Sequence, residues 1–173
     1  PEWNLIGFFD DGKQIGEDVS HFGKVIGGLE ELNSYNKTIN IVYAIGNPAT
    51  VRSLVSKVKN PKVLYPNLIH PNMAYSDYRS FSIGKGNIIQ GGCAVTCDVK
   101  LGDFNVLNGS VVFGHDAKIG NNNCFMPATR ISGEVIIGDC NFFGVGSIVL
   151  QQLKIGNNIR LGAGSVLMTK PKD

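Results

Sequence analysis

The pair of residues in this chain best suited to proton transfer is His115-Asp116, a histidine followed directly by an aspartate. A carboxylate beside an imidazole can fix the tautomer of the ring and favour the imidazolium that forms when the ring accepts a proton. The other two histidines, His21 and His70, stand much earlier in the sequence. The pair therefore suggests a general base. The same two residues would also fit an exposed histidine beside a solvated aspartate, with no catalytic role.

Metal binding and serine-based catalysis have less support. A zinc site needs three or four ligands from histidine, cysteine and carboxylate side chains, and the region around His115 contains no second histidine. No serine is marked as a nucleophile, since Ser110 and Ser147 are ordinary residues of the six-residue repeat described next. We predict no metal. The four cysteines lack disulfide-framework spacing, so we interpret them as free thiols of a cytosolic protein; they are Cys93, Cys97, Cys124 and Cys140.

The element that must position His115 is a repeat of six residues nested in a repeat of eighteen. Every sixth residue from Ile83 to Leu167 is apolar, fifteen positions in all, and Gly84 begins a series of five glycines spaced by eighteen. A six-residue period with three repeats per coil predicts short parallel strands stacked into a triangular β-solenoid, with the apolar series pointing inward. The spacing contains no insertion after Ile83, which gives four full coils and part of a fifth.

Residues eighteen apart stack in one column of such a solenoid, so His115 shares a column with Cys97, Gly133 and Gln151. Two further columns are regular: the glycines that begin at Gly84 and the asparagines Asn87, Asn105, Asn123 and Asn141. Glycine and asparagine tolerate positive φ, so we expect these two columns to form the turns at a corner.

The residues before the repeat suggest a small α/β unit. Strands are predicted at residues 4–9, 39–45 and 62–64, with helices at residues 28–35 and 49–59. The order favours a parallel sheet, whose ligand site would lie at the carboxyl ends of the strands, where Asp10-Asp11 and Gly46-Asn47 occur. An Asp-Asp-Gly sequence is also a common turn. We predict domains at residues 1–65 and 66–173, with an irregular entry over residues 66–81.

Composition argues against several partners. The formal net charge is +2 and charged residues are 17% of the chain, so no electrostatic signal favours nucleic acid. The sequence contains no apolar run of about 18 residues and no recognisable secretory signal, which predicts a cytoplasmic protein without membrane insertion.

Residues 107–116 narrow the interpretation, since they read Leu-Asn-Gly-Ser-Val-Val-Phe-Gly-His-Asp. This stretch resembles the Asn-x-x-x-x-[Val/Ile]-x-His-[Asp/Glu] segment of the sialic-acid O-acetyltransferase-like group of hexapeptide-repeat acetyltransferases. That group includes N-acetyltransferases for nucleotide-linked 4-amino-4,6-dideoxy sugars. Residues 7–12 are similar to its second-strand signature, and residues 44–47 to the end of its third strand.

The resemblance implies a left-handed parallel β-helix preceded by a Rossmann-like α/β subdomain. Left-handedness is implied by the resemblance alone, because crossovers between parallel strands are otherwise right-handed. The family's glycine loop and closing tail have no counterpart in these 173 residues, so we expect the subdomain to be truncated.

The resemblance also implies roles for individual residues. The general base falls on His115 and its acidic neighbour on Asp116, and the backbone N–H that receives the thioester oxygen falls on Gly133. Acetyl-CoA contacts fall on Val145, Ala163 and Cys124, the last of these where the family often has a second histidine. Nucleotide-sugar contacts fall on Asp10, Asp11, Gly46 and Ala49, although a related member has an acidic residue at the position of Ala49.

Cys124 lies half a coil from His115, so the two could meet only across a subunit boundary, which agrees with the homotrimers usual for this fold. We predict an acetyl-CoA-dependent N-acetyltransferase acting on a nucleotide-linked (UDP, GDP or dTDP) amino-deoxy sugar in bacterial surface-glycan synthesis. The alternatives are a sugar O-acetyltransferase of the sialic-acid type and a non-catalytic solenoid scaffold. A dinucleotide-dependent oxidoreductase is disfavoured because no Gly-x-Gly-x-x-Gly occurs.

Overall fold

The computed structural model describes residues 3–169, which form two compact units. The first unit comprises residues 3–40 and 54–64, and the second comprises residues 41–53 and 65–169. The sequence instead predicts domains at residues 1–65, for binding the nucleotide sugar, and 66–173, for acetyl transfer. Because these domains are defined by function, their bounds stay predictions.

The first unit contains two small sheets and one short helix. Its elements are β1 (Phe8–Phe9), β2 (Asp18–Val19), β3 (Gly23–Gly27), α1 (Leu29–Ser34), β4 (Ile39–Asn40) and, after helix α2 (Pro48–Lys57), β5 (Val63–Leu64). Strand β3 lies between β1, to which it is parallel, and β2, to which it is antiparallel. Strands β4 and β5 pair in parallel, as the strand-helix-strand order predicts.

The two helices lie where the sequence predicts them, because polar side chains stabilise their first turns. The Glu31 carboxylate accepts from the N–H of Gly28 at 2.7 Å, at the start of α1. The Asn47 side-chain oxygen accepts from the N–H groups of Ala49 and Thr50 at 3.0 and 3.3 Å, at the start of α2. These bonds satisfy N–H groups that have no partner within a helix.

The strands of the first unit depart from the prediction. Only the last two residues of the predicted strand 4–9 are paired, because Leu5 and Ile6 are 61% and 49% exposed and have no neighbouring strand. The predicted strand 39–45 is confined to Ile39–Asn40. The sequence reading missed β2 and β3, since the glycines at both ends of β3 resemble turn signals.

The second unit is a parallel β-helix of seventeen two-residue strands. They are β6 (Leu68–Ile69), β7 (Ala74–Tyr75), β8 (Ser82–Ile83), β9 (Ile88–Ile89), β10 (Ala94–Val95), β11 (Lys100–Leu101), β12 (Val106–Leu107), β13 (Val112–Phe113), β14 (Lys118–Ile119), β15 (Cys124–Phe125), β16 (Arg130–Ile131), β17 (Ile136–Ile137), β18 (Phe142–Phe143), β19 (Ile148–Val149), β20 (Lys154–Ile155), β21 (Arg160–Leu161) and β22 (Val166–Leu167).

These strands stack into three sheets, which we call faces. Face 1 contains β6, β9, β12, β15, β18 and β21; face 2 contains β7, β10, β13, β16, β19 and β22; face 3 contains β8, β11, β14, β17 and β20. The chain passes from face 1 to face 2 to face 3 in every coil, and the turns between them form corner 1–2, corner 2–3 and corner 3–1. From β8 to β19 each strand pairs with the strand eighteen residues later, as predicted.

The apolar six-residue series forms the core of the β-helix, as predicted. Twelve of its fifteen members are buried in one cluster that includes the stacked rings of Phe125 and Phe143, whose centroids are 4.8 Å apart. Ile83, Leu161 and Leu167 pack against that cluster at its two ends. Inward-facing side chains of each coil cover those of the next, so the core is continuous along the helix.

The predicted irregular entry over residues 66–81 is wrong. Strands β6 and β7 lie within it and begin the β-helix one coil earlier than the repeat suggests. Ile69 and Tyr75 keep the six-residue spacing, but Ile83 follows Tyr75 by eight residues. A short 3-10 turn, Tyr78–Ser80, occupies the extra length and takes the first coil out of frame with the others.

The glycine and asparagine columns lie at corner 3–1, but the reason given from the sequence is wrong. None of these residues has a positive φ. Positive φ occurs instead at fourteen positions spaced by six from Gly86 to Gly164, and ten of these are not glycine. Four of the five glycines are needed for space, because a Cβ there would meet the next coil; at Gly102 it would lie 2.6 Å from the carbonyl oxygen of Gly120. A Cβ at Gly156, in the last member of the column, would meet no atom within 4 Å.

The asparagines form a buried ladder along corner 3–1. Each is fully buried, and the side-chain oxygen of Asn105 accepts from the backbone N–H of Asn123 at 2.9 Å and from its side-chain amide at 3.0 Å. The Asn105 amide in turn donates to the Gly120 carbonyl at 3.0 Å. The ladder thus satisfies backbone groups that the turns remove from the sheets.

Replacing Asn105 with alanine is expected to lower the free energy of unfolding by about 3 kcal/mol, because it leaves the buried N–H of Asn123 and the carbonyl of Gly120 without partners. Chemical denaturation followed by circular dichroism measures the change. Lys100→Ala, on the exposed side of face 3, is the control and is expected to be nearly neutral. Equal stability of the two variants would contradict the structural role of the ladder.

Candidate functional site

His115 and Asp116 lie together at corner 2–3, directly after β13. The Nδ1 atom of His115 is 2.9 Å from Oδ2 of Asp116, and the two side chains are 53% and 55% exposed. An ionised carboxylate can only accept, so the bond requires a proton on Nδ1 and leaves Nε2 with a free lone pair. Asp116 has a φ of 57°, and its backbone N–H donates to the carbonyl oxygen of Cys97 at 3.0 Å. This hydrogen bond fixes the turn.

Gly133 lies one coil above His115, directly beside its imidazole. A Cβ at Gly133 would be 2.5 Å from Nε2 of His115 and 2.7 Å from Cε1, so only glycine leaves room for the ring in this orientation. The Gly133 N–H donates no hydrogen bond to any residue between 3 and 169. The imidazole therefore lies against a glycine whose backbone donor is unused.

Val145 and Ala163 lie on corner 1–2, where they line a cavity of about 370 Å³. They are eighteen residues apart and stack as predicted, since the Gly164 N–H donates to the Val145 carbonyl at 2.8 Å. The walls are mainly apolar or glycine and comprise Met126, Phe142, Gly144, Val145, Arg160, Leu161, Gly162 and Ala163. An extended, largely apolar chain would fit along this corner.

Cys124 lies on the outer side of face 1, between Val106 and Phe142 of the adjacent strands. Only 2% of the residue is exposed. Burial raises the pKa of its thiol, although the Arg160 guanidinium and the Asn108 amide act in the opposite direction. The thiol is therefore protonated at neutral pH, which argues against a nucleophilic role. Its contact with acetyl-CoA stays a prediction.

In the first unit, Asp10 and Asp11 both accept backbone hydrogen bonds. The Asp10 side chain accepts from the Gly12 N–H at 2.8 Å, which is the turn that an Asp-Asp-Gly sequence favours. The Asp11 side chain accepts from the Leu29 N–H at 2.7 Å, at the start of α1. Both residues are exposed, so their remaining oxygens are accessible.

Gly46 and Ala49, in the second unit, are also exposed. A Cβ at Gly46 would meet no atom within 4 Å, and Ala49 lies in the first turn of α2. The roles of these two residues, and those of Asp10 and Asp11, stay predictions.

The structure thus brings together two sets of predicted residues, at different corners of one β-helix. His115, Asp116 and Gly133 share corner 2–3, whereas Val145 and Ala163 share corner 1–2. The sequence reading missed the remaining walls of the cavity, above all Phe142 and Arg160. The eighteen-residue period could have found them, since both share a column with Cys124.

Among residues 3–169, the structure contains no group of three or more histidine, cysteine or acidic residues placed to hold a metal. The four cysteines are free thiols, of which only Cys97 is exposed. No helix of the described chain is long and apolar enough to span a membrane.

Comparison with known proteins connects both units to one group of enzymes. Residues 1–58 match the family model of the PglD N-terminal domain. The acetyltransferase domain of PglB from Neisseria gonorrhoeae, in complex with acetyl coenzyme A, is 28% identical with a TM-score of 0.83, covering 96% of this chain and 79% of that one. The resemblance to the hexapeptide-repeat acetyltransferases is confirmed.

Two further solved structures match the chain almost as well. PerB from Caulobacter crescentus, in complex with CoA and GDP-perosamine, is 28% identical with a TM-score of 0.79 and covers 87% of this chain and 73% of that one. A variant of perosamine N-acetyltransferase from the same organism, with the same two ligands, is 26% identical with a TM-score of 0.81, covering 90% and 74%. The predicted left-handed parallel β-helix with a preceding α/β unit is confirmed. No curated protein matches the chain.

Proposed function

We propose that this protein transfers the acetyl group of acetyl-CoA to the amino group of a nucleotide-linked amino-deoxy sugar. The observation that carries the proposal is the arrangement of His115, whose Nδ1 is bound to Asp116 and whose Nε2 lies against Gly133. The ligands of the similar enzymes, acetyl-CoA in one and CoA with GDP-perosamine in the others, support the choice of both substrates.

In the proposed reaction the amine nitrogen attacks the thioester carbonyl carbon. His115 Nε2 takes a proton from the nitrogen, and the Gly133 N–H donates to the oxygen of the tetrahedral intermediate. The intermediate collapses with cleavage of the carbon–sulfur bond, which yields the amide and the CoA thiolate. The imidazolium of His115, stabilised by Asp116, then returns the proton to the thiolate.

We further propose a homotrimer with the active site between subunits. His115 and Asp116 are more than half exposed in one chain, although acyl transfer benefits from a site that excludes water. The cavity proposed for acetyl-CoA lies at the other end of face 2 from His115. If face 2 lines a three-fold axis, corner 2–3 of one subunit meets corner 1–2 of the next and completes the site.

The exposed sides of the faces support this arrangement. Face 2 presents apolar side chains with Arg130 as the exception, and face 1 does so with Arg160 as the exception, whereas three of the five outer residues of face 3 are lysines. The outer residues of face 2 are Ala74, Ala94, Val112, Arg130, Ile148 and Val166, and those of face 3 are Ser82, Lys100, Lys118, Ile136 and Lys154. Apolar faces are favoured in permanent subunit contacts.

A charge placed on face 2 tests the trimer. The protein is expected to have three times the molar mass of the chain in light scattering, and Val112→Glu is expected to reduce both the mass and the acetyl transfer. Lys118→Glu, on the adjacent strand of face 3, is the control and is expected to change neither. A fully active monomer would overturn the shared site.

The experiment that tests the function is the release of CoA from acetyl-CoA with UDP-, GDP- and dTDP-linked amino sugars as acceptors. Chromatography should be used to measure CoA, because Cys97 is an exposed thiol that would react with thiol reagents. We expect release with one amino sugar, and an acetylated product by mass spectrometry. Binding of acetyl-CoA without release on any amine would favour hydroxyl acceptors, that is, the O-acetyltransferase. Absence of binding would overturn the enzyme and favour a scaffold.

The cytoplasm is the compartment we propose, since acetyl-CoA and nucleotide-activated sugars are cytoplasmic metabolites.

A further inference from the structure

Arg160 is the one charged side chain among the eight residues that line the cavity at corner 1–2. It is the first residue of β21, on the outer side of face 1, and it is exposed. An arginine at the edge of an apolar cavity has a strongly directional set of donors available to a bound molecule.

The position of the guanidinium is set by Phe142, the preceding member of its column. The guanidinium carbon is 4.5 Å from the centroid of the Phe142 ring, a cation–π contact. Within residues 3–169, no carboxylate forms an ion pair with Arg160. The guanidinium is close enough to Cys124 to act against the rise in the pKa of that thiol, but the thiol is neutral and does not compensate the charge. The ring therefore holds the cation beside the cavity while its charge stays uncompensated.

The order of residues along the helix axis indicates which part of a ligand would reach Arg160. Gly133, proposed to bind the thioester oxygen, is one and a half coils before Arg160, and Val145 and Ala163 follow Gly133 in the same direction. In the proposed trimer, corner 2–3 of one subunit meets corner 1–2 of the next. A pantetheine arm that starts at Gly133 of one subunit and runs along Val145 of the next therefore advances toward the coil of Arg160 in that second subunit, with the phosphates of the coenzyme at its far end.

We propose that Arg160 binds a phosphate of acetyl-CoA, at the end of the pantetheine arm remote from the thioester. This inference rests on the proposed function, since it takes acetyl-CoA as the ligand of the cavity. A guanidinium forms paired, charge-assisted hydrogen bonds with phosphate oxygens. Both the diphosphate and the 3′-phosphate offer this chemistry.

Calorimetric titration of the full chain with CoA, dephospho-CoA and pantetheine tests the proposal, with Arg160→Met as the variant because methionine keeps an unbranched apolar side chain against Phe142. We expect Arg160→Met to weaken CoA binding about tenfold, as for loss of one charge-assisted contact, and to leave pantetheine binding unchanged. Arg160→Lys should recover part of the loss. The control is Lys154→Ala, six residues earlier on face 3, which should bind all three ligands as the parent does.

Dephospho-CoA, which lacks the 3′-phosphate, identifies the group that is bound. A tenfold loss that persists with dephospho-CoA assigns the contact to the diphosphate, and a loss that disappears assigns it to the 3′-phosphate. Equal weakening of CoA and pantetheine would overturn the proposal in favour of a packing role, and unchanged CoA binding would overturn it outright. If the parent protein bound none of the three ligands, the proposed function itself would fail.

Discussion

Replacing His115 with alanine is expected to lower kcat/KM for the amino-sugar acceptor by about 10²- to 10⁴-fold, the range typical for the loss of a general base. Acetyl-CoA affinity should be preserved, because the cavity proposed for the pantetheine arm lies on corner 1–2 and the His115 side chain has no proposed contact with the coenzyme. Steady-state rates of CoA release, together with calorimetric titration of acetyl-CoA, separate the two effects.

The matched control is His70→Ala, since His70 is an exposed histidine on the first coil of the same β-helix, where its Nδ1 accepts from the Asn72 N–H at 3.1 Å. It should retain full activity. The acceptor also matters: a hydroxyl is a much weaker nucleophile than a neutral amine, so O-acetylation would depend on His115 more steeply than N-acetylation. Activity of His115→Ala equal to that of the parent would show that another group accepts the proton.

A methyl group at Gly133 is expected to reduce kcat about 10²-fold with little change in stability. The added Cβ would stand 2.5 Å from Nε2 of His115, so the imidazole must rotate away from the position set by Asp116. A displacement of about 1 Å in a reacting group is enough for a loss of this size. The ring is the movable partner in this clash, which is why Gly133→Ala should fold normally. Rates of CoA release and the thermal midpoint measure the two quantities.

Gln151→Ala provides the comparison for Gly133→Ala, because Gln151 occupies the same column one coil further on and is exposed. We expect it to keep the parent kcat. Histidine NMR signals add a direct test of the cause: those of His115 should shift in Gly133→Ala and stay in place in Gln151→Ala. Full activity with a shifted ring would mean that the orientation of the imidazole is not what Gly133 protects.

The β-helix could be predicted from the sequence because its strongest constraint is local and periodic. Each inward position must be apolar, so the series from Ile83 to Leu167 records the fold directly. The first coil escaped prediction since two extra residues before Ile83 break the period, although Ile69 and Tyr75 obey it. In the first unit, strands of two residues are too short for alternation to be informative.

Turn chemistry was the weaker guide. Asparagine and glycine suggested positive φ, yet positive φ occurs at residues such as Phe104 and Cys140, where the stacking of coils overrides the local preference. The asparagines are instead selected by buried hydrogen bonds to the neighbouring coils, which no single coil reveals.

The candidate site was predictable where it depends on neighbours in sequence or on the eighteen-residue column. His115 with Asp116 is the first case, and His115 with Gly133 the second. The cavity at corner 1–2 was not, because its walls combine a face with a corner and because Arg160 folds back over Phe142. The direction of the Arg160 side chain is a result of packing, so it could not be predicted from the spacing of residues in the sequence.

The eighteen-residue register is unbroken from β8 to β22, so the position of a residue along the β-helix axis follows directly from its sequence number. Successive coils advance by about 4.8 Å, so the axial distance between the level of His115 and that of Arg160 is fixed by a count of coils and not by any flexible loop. Within this register, an insertion or deletion could change that distance only by a whole coil or by a third of a coil, that is, by eighteen or six residues. With a phosphate bound at Arg160 as proposed, a co-substrate with a longer or shorter arm would place its acyl carbon away from the level of His115.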